Sequence, residues 1–140
     1  MDASSAIGET RVLPRVMTNQ PPPETIYASS DAAWREDMNL AGTCWIFMNK
    51  GTITDQGSKA VHHVPSPLIG EALALRSALN HAIQLGIQNL AMRSDSLDLI
   101  NSINSDKKIK ELHGILQDVK TLSARFNFVS FSHIFVVIIV

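Results

Sequence analysis

The chain has 140 residues, 45% of them hydrophobic and 18% charged, with a formal net charge of −1. That length suits one domain with a true core, and the near-neutral balance gives no electrostatic footprint for nucleic acid, so attraction to a polyanion would have to come from local clusters or bound cations. A single cysteine, Cys44, excludes an internal disulfide framework and suits a reducing compartment.

Residues 1–24 are polar and unpatterned and end in Pro21-Pro22-Pro23, which predicts a tail or linker ahead of a domain over 25–140. The N-terminus lacks the basic-then-apolar layout of a secretory signal. An intracellular protein, nuclear or cytoplasmic, is therefore expected. Ile26 to Trp34 reads as a first strand with Asp31 in its C-terminal half. Ala41 to Met48 reads as a second, and its apolar run Cys44-Trp45-Ile46-Phe47 predicts a buried structural thiol. Asn49-Lys50-Gly51 is a hairpin signal, and Thr52 to Val64 reads as a polar edge strand.

Pro65 and Pro67 break the sheet pattern before a helix from Leu68 to Leu85, closed by Gly86. Gln88 to Arg93 reads as a short strand. Ser94-Asp95-Ser96 leads into a helix from Leu97 to Ile103, with Asp98 as an acid of its first turn. A polar loop over Asn104 to Lys110 precedes an amphipathic helix from Glu111 to Ala124, and Phe126 to Ile134 alternates as a last strand. The order β-β-β-α-β-α-α-β predicts an α/β fold. Its sheet is mixed and five-stranded, an antiparallel meander extended in parallel through a right-handed crossover and flanked by helices. The apolar end of the chain is interrupted by Asn127, Ser130, Ser132 and His133 and is shorter than the ~18 to 20 residues of a membrane span. No membrane contact is expected. Phe135 to Val140 instead fits an aggregation-prone strand that lowers solubility.

Three acids stand out. Leu68, Ala72, Leu75, Leu79, Ala82 and Ile83 form a stripe at helical spacing, and Glu71 falls on it. A carboxylate facing a core must be paired, protonated or bound to a cation. Asp31 and Asp95 fall toward the C-terminal ends of their strands, where sites collect in open α/β sheets. Together the three predict a site for a hard metal ion. The other polar clusters read more plainly. His62-His63 point to opposite faces of a strand and cannot share an ion. His81, His113 and His133 lack zinc spacing. Lys107, Lys108 and Lys110 read as a solvated loop, and Trp34 and Trp45 as packing residues.

Asp31-Ala32-Ala33-Trp34, Ala41-Gly42-Thr43-Cys44-Trp45-Ile46, Ser66-Pro67-Leu68-Ile69-Gly70-Glu71-Ala72-Leu73-Ala74-Leu75 and Ser94-Asp95-Ser96-Leu97-Asp98-Leu99-Ile100 together resemble the type 1 ribonuclease H domain. The likeness is greatest to the plant group derived from non-LTR retrotransposon reverse transcriptases. The resemblance spans about Pro21 to Ile134 and implies hydrolysis of the RNA strand of an RNA–DNA hybrid by two Mg²⁺ ions, with Mn²⁺ as an alternative. It implies Asp31, Glu71 and Asp95 as catalytic and metal-holding residues, with Asp31 bridging both ions. Relatives continue after the last strand with a segment like Pro-Arg-x-x-Asn-x-x-Ala-Asp-x-Leu-Ala, which supplies a fourth acid and a closing helix. Here Phe135-Val136-Val137-Ile138-Ile139-Val140 follows Ile134 instead, so both are expected to be missing. That departure sustains a second reading, an inactive nucleic-acid-binding or interaction module on the same fold.

Overall fold

The computed structural model describes residues 20–105 and 109–134. Five strands and three α-helices alternate: β1 Ile26–Arg35, β2 Leu40–Asn49, β3 Thr52–Val61, α1 Pro67–Gln84, β4 Asn89–Ser94, α2 Leu97–Asn104, α3 His113–Ser123 and β5 Phe128–His133. Short 3-10 turns over Glu36–Met38 and Lys110–Leu112 precede β2 and α3. The sheet order is β3-β2-β1-β4-β5, antiparallel within the meander and parallel from β1 to β4 and from β4 to β5. This is the mixed sheet that the strand and helix signals predict.

Local chemistry explains the boundaries. Lys50 and Gly51, both with positive φ, join Asn49 to Thr52 as a two-residue turn whose twist matches the flanking strands. Ser66 caps α1 by accepting the Ile69 amide at 3.2 Å, and Pro67 follows it at the first helical position. At the other end Gly86 (φ 77) lets its own amide reach the Ile83 carbonyl and the Ile87 amide reach that of Ala82, both at 3.0 Å.

Two strand limits differ from expectation by more than one residue. β3 stops at Val61, because His63 takes a left-handed φ of 61 and turns Val64 inward. The buried Val64 donates its amide to the Asn39 carbonyl, and its own carbonyl accepts the Trp34 indole N–H, so its backbone leaves the ladder. His62 and His63 thus lie in a bend, not on an edge strand. β5 begins at Phe128, since Phe126 is drawn into the core before the strand starts.

Helix α1 packs on β1 and β2, with Gly70 close to Ala32 and Ala41. The core between them is built from Ala28, Phe47, Leu75, Leu79, Leu90 and Met92, joined by Leu99 of α2 and Leu112 before α3. Each large apolar side chain buried there contributes about 1.5–3 kcal/mol relative to exposure. Trp45 is buried as a packing residue and donates its indole N–H to His81 Nδ1 at 2.9 Å, while Trp34 is half-buried.

Cys44 corrects the reading of a buried thiol: it is exposed. The period of two along β2 buries Ala41, Thr43, Trp45 and Phe47 and turns Gly42 and Cys44 to the opposite face. No helix among the described residues is long and apolar enough to cross a membrane. Lys107, Lys108 and the segment 135–140 lie outside the described residues, as does most of the predicted tail.

Candidate metal-binding acidic site

The site arises where strands of unequal reach lie side by side. The parallel register of β1 with β4 ends at the pair Ser30 and Ser94, whereas β1 runs on to Arg35. Asp31 is the first β1 residue past that last pair, and Asp95 is the first residue past β4. Their backbones therefore leave the shared ladder at the same level. Glu71 comes from the beginning of α1, which lies over this end of the sheet. The three carboxylates present oxygen atoms all within 4.8 Å of one another. All three acids named from the sequence are thus brought together.

Each acid is held by local structure. The Ala32 amide donates to Asp31 Oδ1 at 2.9 Å. Ser94, fully buried, accepts the Ser96 amide on its hydroxyl at 3.1 Å and tightens the turn after β4. Ser96 caps α2 by accepting the Leu99 amide at 3.4 Å. Because a serine does the capping, the Asp95 carboxylate is spared that role and stays exposed toward the other two acids. Asp98 is an exposed acid in the first turn of α2, as its position predicts.

Glu71 bears the electrostatic cost. Burial, then the negative charges of Asp31 and Asp95, then a hydrogen bond shared with Asp31 push its pKa from 4.5 up to about 8, and the Ala32 amide opposes this only in part. At neutral pH and without a cation, Glu71 therefore holds a proton. Its Oε1 is buried without a hydrogen-bond partner, an arrangement that normally costs about 1–3 kcal/mol.

Beside the cluster opens a hollow of about 430 Å³, lined by Pro67, Leu68, Glu71, Asp95, Asp98 and Glu111 among others. Glu111 was not a sequence candidate, since its place beside the site depends on how the segment before α3 returns across the sheet end. Cys44 was also missed. It pairs with Asp31 across the β1–β2 ladder. Partial desolvation, then the charges of Asp31 and Glu71, raise its thiol pKa. The alternation of β2 carried that signal.

A family model described as reverse transcriptase-like matches residues 29–136, most of the chain and all three acids. The chain belongs to the reverse transcriptase-like family. Its domain is of the ribonuclease H type, and solved structures share the fold. RNase H1 from the halophilic archaeon Halobacterium salinarum superposes with a TM-score of 0.73 at 22% identity, covering 79% of this chain and 85% of its own. The N-terminal RNase H domain of a Mycobacterium tuberculosis protein gives 0.70 at 16% identity, covering 79% and 82%. An RNase H1 isolated from compost by a metagenomic approach, solved in complex with RNA/DNA hybrid, gives 0.70 at 18% identity, covering 78% and 84%. No curated protein matches the sequence. At these identities the structural likeness establishes the fold of this ribonuclease H-type domain, and its chemistry has to be argued from its own residues.

Proposed function

We propose that this ribonuclease H-type domain hydrolyses the RNA strand of an RNA–DNA hybrid, with Asp31, Glu71 and Asp95 as its catalytic carboxylates. The observation that carries the reading is their convergence within 4.8 Å around a glutamate that must stay protonated when no cation is present. A divalent cation fits this site on the site's own chemistry. The donors are all oxygen, which suits Mg²⁺ or Mn²⁺. Their mutual repulsion would be relieved by positive charge, and the buried Glu71 Oε1 lacks any other partner.

Asp31, Glu71 and Asp95 would hold the ions, which when bound supply Lewis-acid stabilisation of the phosphodiester and a nucleophilic water at neutral pH. The protein does the rest. Ala32 fixes one Asp31 oxygen and so holds the carboxylate in place beside its two neighbours. Glu71 would have to release its proton to hold a cation, which would couple occupancy of the site to pH. Ser94 and Ser96 hold the turn that presents Asp95. The hollow beside Glu71 and Asp95 leaves room for a phosphodiester to approach from solvent. That a relative of the same fold was solved with RNA/DNA hybrid supports the substrate class.

A specific observation favours the second reading, an inactive nucleic-acid-binding module. Among the described residues no fourth carboxylate joins the three within ligating distance. One experiment separates the two readings: a labelled RNA–DNA hybrid incubated with the purified chain and Mg²⁺ or Mn²⁺, beside Asp31→Asn. Metal-dependent cleavage lost in the variant supports the nuclease. Binding of the hybrid without cleavage by the parent supports the module.

A further inference from the structure

His133 ends β5 directly opposite Ser94 in the parallel register. Two bonds cross from this point to the turn that carries Asp95. The Ile134 amide donates to the Ser94 carbonyl at 3.0 Å, and His133 Nε2 lies 3.1 Å from the Asp95 carbonyl. A carbonyl can only accept, so Nε2 carries the hydrogen in this contact. Asn104, at the end of α2, donates to the Phe131 carbonyl at 2.9 Å and ties the same strand to the helix that follows Asp95. The Asp95 peptide is thus held from both sides: by Ser94 Oγ through the Ser96 amide, and by His133 through the Asp95 carbonyl.

We propose that His133 is a positioning residue, whose bond to the Asp95 carbonyl fixes the turn that aims the Asp95 carboxylate into the acidic site. The inference rests on the reading of that site as a cation site. A ligand carboxylate on a short turn swings with its own peptide plane, so a bond to that carbonyl sets where the oxygens point. Groups that orient a ligand in this way typically govern metal affinity by 10- to 100-fold. His133 acts on the main chain of the ligand and not on its carboxylate, so the lower end of that range applies.

The test compares the parent chain with His133→Gln, whose amide reaches about as far as Nε2 and keeps a donor, and with His133→Leu and His133→Asn. Leu has no donor, and the Asn amide is too short to reach. With Mn²⁺ alone as probe, read from the paramagnetic resonance of the free ion, Leu and Asn should raise the dissociation constant by about tenfold, while Gln stays within about twofold. In EDTA, amide hydrogen exchange at Asp95 and Ser96 should quicken in Leu and Asn and not in Gln. Asn keeps a polar side chain at a half-buried strand end, so a Leu variant that fails to fold leaves the comparison intact. Equal Mn²⁺ affinity and exchange in all four proteins would overturn the inference. So would equal weakening in Gln and Leu, which would assign the effect to the ring's packing. A parent that binds no Mn²⁺ sinks the cation-site reading instead, and the exchange arm then decides separately whether His133 orders the Asp95 turn.

Discussion

Glu71 offers the most direct physical test, because its protonation should make the metal-free protein lose stability as pH rises. Its pKa moves from 4.5 in the open chain to about 8 in the fold. Between those values the folded state binds a proton that the unfolded state has released, so the stabilisation is complete below about pH 4.5 and lost as pH rises through about 8. The gap is about 3.5 pH units, which at about 1.36 kcal/mol each sets a ceiling of about 5 kcal/mol. The cluster is open to solvent on one side, and screening there reduces the expected effect to about 2 kcal/mol. For a domain of this size that is a fall in Tm of roughly 8 °C between pH 5 and pH 8.5. Glu71→Gln keeps the neutral, hydrogen-bonding form at every pH, so it should flatten this part of the profile and leave the variant more stable than the parent above pH 8. The assay is thermal melting in EDTA across that range, with the variant as baseline for all other titrations. A parent profile that runs parallel to that of the variant would falsify the argument that burial and the two neighbouring carboxylates together hold a proton on Glu71.

Other outcomes follow from the same geometry. Asp31→Asn should lower hybrid cleavage by more than the about 100-fold that loss of a supporting group costs, with an unchanged or slightly higher Tm in EDTA because a repelling charge is gone; parent-like cleavage would remove Asp31 from the mechanism. Mn²⁺ should support more cleavage than Mg²⁺ at equal concentration, since it binds a sparse ligand set more tightly and sheds water more readily, and equal or better rates in Mg²⁺ would contradict this. Apparent Mn²⁺ affinity, read by calorimetry, should climb with pH and level off above about 8, because the Glu71 proton must leave first. Gly57→Ala would drive a Cβ into the Trp45 ring, whose indole N–H is committed to His81; chemical denaturation followed by tryptophan fluorescence should show a loss of about 1–3 kcal/mol.

Much of the architecture is legible because its signals are local. Ser66, Pro67 and Gly86 each act through their own backbone, so both ends of α1 can be read from neighbouring residues alone. The parallel crossover follows from a helix lying between two strands. What cannot be read is relative strand length. Nothing in Ile26–Arg35 or Asn89–Ser94 says that the first outruns the second, and that offset is what brings Asp31 level with Asp95. The three acids could be named from their types and from the resemblance, but their meeting depends on register. His133 is the sharper case: its partner is a backbone carbonyl 38 positions away, and no side-chain pattern marks a carbonyl.

Cys44 shows the opposite failure, a local signal read too coarsely, and it bears on how the site is reached. Four consecutive residues of apolar character suggested uniform burial, yet a strand covered by α1 on one face must turn every second residue outward. The same alternation applies to β1, where Ala28 and Ser30 are buried while Asp31 is exposed. Asp31 thus belongs to the outward set that includes Cys44, and Glu71 approaches from the helix side, where β4 has ended and no strand intervenes. A carboxylate cluster that joins both faces of a sheet can form only where a strand stops short. Extending β4 by two paired residues would fill that gap with backbone and separate Glu71 from Asp31. The short β4, as much as the acids themselves, is what the site requires.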